Sequence, residues 1–139
     1  MNLKDIPFAK TIGLTESNGE YLFELADDVG YTNHLGSVAA AAQFSLAEFT
    51  SGQWLLNSFS EIALNVVPML RKSQVKFKKP AHGRIRAKAN VDLFAQEVFL
   101  QELNQHKRAL ITIHVDIVND NNEKVMTGIY EWFIQQKTK

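Results

Sequence analysis

The chain has 139 residues, no cysteine, and 15 acidic and 15 basic side chains, so its formal net charge is zero. Its hydrophobic fraction of 45% and charged fraction of 22% are typical of one globular domain, here residues 1–139, rather than a disordered or fibrous chain. Disulfides and thiolate metal sites are excluded. No apolar run is long enough for a signal peptide or a membrane span, so we expect a cytoplasmic protein.

Charge is unevenly distributed along the sequence. Residues 1–61 are acidic, whereas residues 71–108 are strongly basic. A basic block can attract nucleotide phosphates, an acidic protein or nucleic acid, although a solvated sheet face is its commoner meaning. Because the net charge is zero and the aromatic residues Phe77, Trp132 and Phe133 match core positions, nucleic acid is the least favoured partner.

The N-terminal third predicts a short helix followed by a β-hairpin. Residues 2–9 can form a helix that ends near Phe8. The segments 9–17 and 21–25 flank Asn18-Gly19, a dipeptide that favours tight turns between paired strands.

The next segment predicts a buried helix. From residue 38 to about residue 51 the pattern is helical, with Gly36 and Ser37 as candidate caps and Gly52 as the end. The helix is apolar almost all round, so we expect it to be enclosed. Glu48 lies inside it, and a buried carboxylate requires either a structural partner or a chemical use.

Two basic strands are predicted in the middle of the chain. From Leu70 the apolar period is two, and the turn at residues 80–83 reverses the chain into a second alternating segment that begins at Ile85. We expect these strands to pair and to share a basic face formed by Lys76, Lys78, Arg84, Arg86 and Lys88.

The C-terminal part predicts a helix and a hairpin. Residues 92–107 have approximately helical spacing, residues 109–117 alternate, and a turn at residues 119–122 leads into an apolar strand at residues 125–134. The sequence therefore predicts an α+β fold with one central buried helix and five or six mostly antiparallel strands. A second copy is expected to cover the remaining apolar surface.

Other chemistries find no support in the sequence. The histidines at positions 34, 82, 106 and 114 are scattered, so no metal site is expected. There is neither a Gly-x-Ser-x-Gly elbow nor a glycine-rich phosphate loop. A cystatin-like open barrel also wraps a sheet around a helix, but such folds usually begin with their long helix, whereas two candidate strands precede this one.

Several segments together carry a family resemblance. The order "N…GSV…FSLAE", then "VKFKKPAHGRIRAKANV", then "ITIHVDIVNDNNEKVMTGIYEWFI" resembles the hotdog-fold thioesterases, in particular the branch of phenylacetyl-CoA thioesterase. That branch has an Asn, a Gly-Thr-Val turn, a His-Gly-Gly at the helix start, and an acid eight residues after the first of those glycines. The matching positions are Asn33, Gly36-Ser37-Val38, Ala39-Ala40-Ala41 and Glu48, so alanines replace His-Gly-Gly.

The resemblance implies an antiparallel sheet around one long helix, dimers or dimers of dimers with joined sheets, and an acyl-CoA or acyl carrier protein thioester at the subunit interface. It implies that Glu48 acts as general base or nucleophile in hydrolysis, that the Ala40 N–H polarises the carbonyl, and that Asn33 positions water. No cofactor is needed, because coenzyme A enters as part of the substrate. A non-catalytic module that binds a thioester or a protein through the same slot is the alternative.

Further residues are candidates for substrate contact. His34, Gly36 and Ala41 adjoin the motif, although turn formation and helix packing also explain them. Ser51 follows Glu48 by three residues and can position a water on the same helix face, or can be an ordinary polar residue. Lys78 and Arg84 can contact coenzyme A phosphates or an acidic carrier. Candidates for the acyl pocket are Leu46, Phe49, Trp54 and Phe59.

Overall fold

The computed structural model of the protein describes residues 1–138. Helices and strands follow one another along these residues, and none of the helices is long and apolar enough to cross a membrane. Short 3-10 turns cover Leu3–Asp5 and Val29–Tyr31. The longer elements are, in chain order, α1 (Pro7–Thr11), β1 (Thr15–Glu16), β2 (Phe23–Leu25), α2 (Ala40–Ser58), α3 (Ser60–Ala63), β3 (Val66–Phe77), β4 (Ile85–Asn90), α4 (Leu93–His106), β5 (Arg108–Val118) and β6 (Lys124–Gln136).

All six strands form one antiparallel sheet in the order β1-β2-β4-β5-β6-β3. One face is covered, because the alternating residues Ile111, Ile113 and Val115 of β5 are buried together with Tyr130 of β6. The long helix α2 packs on this inner face and contacts β2, β4, β5 and β6. The expected α+β architecture with a central helix is therefore confirmed, and the two strands that precede α2 exclude the cystatin-like alternative.

Several local predictions are confirmed. The hairpin around Asn18-Gly19 exists, although its strands are short and pair Thr15 with Glu24. α4 occupies the predicted helix at 92–107, and β5 and β6 pair through the predicted turn. The N-terminal helix is split into a 3-10 turn and α1, because Ile6 precedes Pro7 and adopts an extended conformation.

The predicted end of the long helix is wrong. α2 continues through Gly52 to Ser58, and Gly52 is buried. A Cβ at this position would lie 2.9 Å from Leu3 Cδ1 and 3.2 Å from two ring atoms of Trp132. Gly52 therefore permits close packing within the helix, a role that local sequence does not distinguish from termination.

The predicted capping of α2 is also wrong. The N-cap residue is Ala39, and no side chain caps the helix. Ser37 is buried and its backbone and hydroxyl hydrogen bond with Asn33, while Gly36 has a φ of +77° in the turn before the helix. These residues shape the loop and not the first turn of the helix.

The predicted pairing of β3 with β4 is wrong, because β5 and β6 lie between them. The connection cannot form a tight turn, since Ala81 is fully buried and its carbonyl accepts the Val38 N–H at 2.8 Å. Three of the basic side chains, Lys76, Arg86 and Lys88, nevertheless share the outer face, as expected, whereas Lys78 and Arg84 lie just outside the two strands. The register that aligns them runs from Lys76 to Thr127, from Thr127 to Asp116 and from Asp116 to Lys88.

β3 forms a long edge of the sheet. It has 12 residues, four more at its start than the Leu70 boundary predicts, whereas β1 at the other edge has only 2. The Lys78 N–H donates to the Val125 carbonyl of β6 at 2.8 Å. Because successive amides of a strand alternate in direction, the N–H groups of Ser73 and Val75 point away from β6. This edge can therefore accept another strand.

Candidate active site

Glu48 lies on the inner helix, where its side chain is half-buried. Within residues 1–138 no hydrogen bond or ion pair holds its carboxylate, and burial raises its pKa above the ordinary value of 4.5. The buried Tyr130 hydroxyl donates to the Phe44 carbonyl at 3.0 Å, and its pKa is raised by burial and by the nearby Glu48 charge. The carboxylate thus faces apolar surroundings without a compensating charge.

A cavity of about 340 Å³ opens beside Glu48. Its walls come from α2, from the start of β3, from Trp132 of β6 and from the N-terminal residues. Of the residues that the structure describes, Lys137 is the one basic side chain in the lining, and its ammonium donates to the Leu64 carbonyl at 3.0 Å. The lining residues are Met1, Leu3, Ile6, Glu48, Phe49, Gly52, Leu56, Ala63, Leu64, Val66, Pro68, Trp132 and Lys137.

Ser51 lies behind this cavity and not in it. Its side chain is fully buried, its hydroxyl donates to the Glu48 main-chain carbonyl at 2.7 Å, and it accepts the Trp132 indole N–H at 2.8 Å. The Ser51 hydroxyl therefore fixes the position of the Trp132 indole, which lines the cavity. It makes no hydrogen bond to the Glu48 carboxylate.

The start of α2 presents free backbone donors. The Ala39 N–H donates to the Tyr31 carbonyl, and the Ala42 N–H donates to the Ala39 carbonyl. Between them, Ala40 and Ala41 are exposed first-turn residues whose N–H groups have no partner within the described chain. Such N–H groups, at the positive end of a helix dipole, favour a negatively charged oxygen.

Asn33 organises the loop that leads into α2. Its side-chain oxygen accepts the Leu35 and Ser37 N–H groups at 2.9 and 3.1 Å, and its amide nitrogen donates to the Ser37 hydroxyl at 3.0 Å. One N–H of the amide remains free. His34 and Gly36 are exposed in the same loop, which is consistent with turn formation.

A second cavity, of about 370 Å³, joins three of the predicted site residues: Asn33, Ala40 and Lys78. Gln43, which the sequence did not single out, also lines it. The other lining residues are Ser37, Val38, Phe77, Lys79 and Pro80. This cavity contains two lysines among its lining residues, whereas the cavity at Glu48 has a more strongly apolar lining.

The two cavities form separate halves of one potential site. Ala40 and Glu48 are eight residues apart on the same helix, or about 12 Å along its axis. A donor at Ala40 therefore cannot polarise a carbonyl that contacts Glu48 of the same chain.

Arg84 lies apart from both cavities. It pairs with Asp120 at 2.9 Å and with Glu24 at 3.5 Å, so its charge is already compensated. Of the four candidate acyl-pocket residues only Phe49 lines the Glu48 cavity. Leu46 is fully buried in the core, and the Trp54 ring packs against the Phe59 ring with centroids 6.0 Å apart.

Comparisons with known proteins agree with this architecture. A family model described as a domain of unknown function, DUF4442, matches residues 3–134. A Pseudomonas aeruginosa protein of unknown function, named a probable thioesterase, is 24% identical, with a TM-score of 0.79 over 98% of this chain and 91% of that chain. No curated protein matches the chain.

Two further solved structures extend the comparison. A Bacillus halodurans protein solved with CoA is 16% identical, with a TM-score of 0.69 over 91% of this chain and 74% of that chain. A thioesterase from Haemophilus influenzae is 13% identical, with a TM-score of 0.72 over 99% of this chain and 88% of that chain. At these identities the likeness establishes the hotdog fold.

Proposed function

We propose that this chain, which belongs to the DUF4442 family of domains of unknown function, is an acyl-CoA thioesterase whose sites form between two copies. One observation carries the proposal: the Glu48 carboxylate has no partner within residues 1–138 and lies at the edge of an apolar cavity. Such a group lowers stability, so its presence favours a chemical use, and perturbed carboxyls in clefts are often catalytic. The fold shared with thioesterases and with a CoA-bound protein supports the same conclusion.

The free edge of β3 supplies a way to unite the two half-sites. Antiparallel pairing of β3 with a second β3 about their common midpoint would bring the Phe77 end of one strand next to the Val66 end of the other. Phe77 lines the cavity that contains Ala40, and Val66 lines the cavity that contains Glu48. The Ala40 donor of one copy would therefore lie near the Glu48 carboxylate of the other.

The reaction follows from these positions. Glu48 removes a proton from water as the water oxygen attacks the thioester carbon. The carbonyl oxygen becomes negative and accepts hydrogen bonds from the first-turn N–H groups of the second copy, Ala40 foremost. The C–S bond then breaks, the Glu48 proton passes to the leaving sulfur, and a carboxylic acid and free thiol are released. A general base contributes about 10²–10⁴ in rate and an oxyanion donor about 10²–10³.

Lys78 is the best-placed basic residue for coenzyme A. It is exposed, lines the Ala40 cavity and makes no ion pair within the described residues. An ammonium at this position suits a phosphate group of coenzyme A or of an acyl carrier protein. Asn33 acts as a positioning residue, because its hydrogen bonds hold the loop that delivers Ala40.

The enzyme and the binding module are distinguished by measuring thiol release from a panel of acyl-CoA esters. Glu48→Gln removes the base while keeping the shape, and we expect its kcat to fall by about 10²–10⁴. The matched control is Glu61→Gln, an exposed glutamate at the start of α3, which should retain the wild-type rate. Equal rates for wild type and Glu48→Gln would remove Glu48 from the mechanism. Absence of thiol release from wild type would leave only the binding module.

The shared site is tested by mixing two variants. Ala40→Pro removes the donor at the first helical position, where proline is tolerated, and Ala39 already has the extended conformation that precedes proline (φ −59°, ψ 144°). We expect a fall of about 10²–10³. After unfolding and joint refolding with Glu48→Gln, mixed dimers contain one intact site, so about a quarter of the sites should recover. No recovery would refute a site built from two copies.

A further inference from the structure

The Glu48 cavity is closed on one side by residues 1–6, which we call the N-terminal strap. Met1, Leu3 and Ile6 of the strap line the cavity, although they lie far from Glu48 in sequence. The strap is followed by α1, which also contacts the central helix: the ring of Phe8 in α1 packs against the ring of Phe49 in α2, with centroids 6.2 Å apart. One wall of the cavity thus comes from a segment that belongs neither to the sheet nor to the central helix.

Gln53 fastens the strap to α2. Its side-chain oxygen accepts the Leu3 N–H at 2.7 Å, and its amide nitrogen donates to the Met1 carbonyl at 3.2 Å and to Asn57 Oδ1 at 2.8 Å. Gln53 is only 7% exposed, and buried hydrogen bonds of this kind are costly to break. The strap is therefore a fixed wall and not a loose terminus.

Leu3 is the point of closest approach between the strap and the helix. Its side chain is 8% exposed, and Leu3 Cδ1 would lie 2.9 Å from a Cβ placed at Gly52. Gly52 and Glu48 are four residues apart and share one helix face. Leu3 therefore contacts the helix one turn beyond Glu48, on the side of the cavity that an acyl chain could occupy when its thioester carbon lies near the Glu48-activated water.

We propose that Leu3 and the rest of the N-terminal strap set the length of the acyl chain, and that the cavity takes an aliphatic chain of medium length. This inference rests on the proposed function. Among residues 1–138, Glu48 and Lys137 are the ionisable side chains that line the cavity, and the ammonium of Lys137 is directed to a carbonyl. The walls therefore suit hydrocarbon and not an oxygenated group.

Cavity size selects a chain longer than a phenylacetyl group. An apolar cavity of about 150 Å³ is sufficient for benzene, whereas this one measures about 340 Å³. If each methylene occupies about 30 Å³, close to the share of one water in the liquid, about eleven carbons fill it. The phenylacetyl specificity of the branch that the sequence resembles is therefore not the one that this cavity favours.

The test uses the intrinsic fluorescence of Trp132, which lines the cavity, in a Trp54→Phe background. Saturated fatty acids of six to fourteen carbons, the products of the reaction, are titrated below their micellar concentrations. Affinity should rise about fourfold for each added methylene and stop rising near eleven carbons. In Leu3→Ala the limit should move up by two or three carbons, because the side chain loses three carbons. The matched control is Leu93→Ala, an exposed leucine of α4, which should leave the limit unchanged.

Two outcomes would overturn the inference: an identical chain-length limit in wild type and Leu3→Ala, or no binding of any fatty acid. If Leu3→Ala fails to fold, Leu3→Phe keeps the strap buried and must lower the limit by about two carbons; an unchanged limit in that variant is equally a refutation. The parallel assay of thiol release separates the two proposals. If the chain-length limit changes with residue 3 but no thiol is released, the role of the strap is supported and the enzymatic function is contradicted. If thiol is released but the limit does not change, the enzymatic function is supported and the role of the strap is contradicted.

Discussion

Replacing Ser51 with alanine tests whether the wall behind the candidate base is held as the structure indicates. The Ser51 hydroxyl accepts the Trp132 indole N–H at 2.8 Å, and both side chains are buried. Without the hydroxyl the indole N–H is a buried donor with no partner, which costs about 1–3 kcal/mol. The better helix propensity of alanine offsets about 0.5 kcal/mol of this cost. We expect a net loss of about 0.5–2.5 kcal/mol, or about 2–9 °C in Tm for a chain of this size.

The assay is urea unfolding followed by tryptophan fluorescence and circular dichroism. The matched control is Ser45→Ala, because the Ser45 hydroxyl also donates to a main-chain carbonyl of α2, that of Ala41 at 2.9 Å, but supports no second side chain. It should change the free energy of unfolding by less than about 0.5 kcal/mol. A Ser51→Ala variant as stable as this control would refute the assigned role. Lower stability with an unaltered chain-length limit would show that the hydrogen bond matters to folding alone.

Three further predictions concern charge, packing and assembly. Because burial raises the pKa of Glu48 above 4.5, the folded state binds more protons than the unfolded state between 4.5 and the raised pKa, so wild-type stability falls as pH rises through this window; thermal melts should show Glu48→Gln more stable than wild type at pH 8 and equal to it at pH 4. Gly52→Ala adds a Cβ that contacts the strap, so overpacking of about 1–3 kcal/mol should exceed the helix gain of about 1 kcal/mol, and a raised Tm would contradict this contact. Ser73→Pro removes an N–H that points away from β6, so light scattering should find monomers in place of dimers, and a persistent dimer would place the interface elsewhere.

The order of elements could be predicted from the sequence because it depends on local periodicity. The alternation of β5 and the Asn18-Gly19 turn carry their own signals. The pairing of strands carries no such local signal. β3 and β4 are consecutive in sequence, but each pairs with strands that come later or earlier in the chain, and those pairings depend on tertiary packing. Gly52 shows a similar limit, because a glycine that ends a helix and one that permits close approach look alike until Leu3 is placed against it.

The residues of the candidate site were also only partly predictable from the sequence. The resemblance indicated Glu48, Ala40 and Asn33. Ala40 and Asn33 line one cavity together with Lys78, whereas Glu48 lines the other cavity. The N-terminal strap and Lys137 could not be foreseen, because they reach the cavity from the two ends of the chain. An internal glycine within an apolar helix was the one available signal of a close neighbour.

Within residues 1–138 the Glu48 carboxylate has no hydrogen-bond or ion-pair partner, and this bears on the proposed function. A lysine or arginine beside the carboxylate would lower its pKa and offset the cost of burial, but it would also weaken the carboxylate as a base. Lys137 lines the same cavity, yet its ammonium is directed to the Leu64 carbonyl and not to the acid. Among the described residues the carboxylate is therefore uncompensated, which is the state that the proposed role as a base requires. A donor supplied by a second copy would act on the substrate oxygen rather than on the acid, and so would leave the basicity of Glu48 intact.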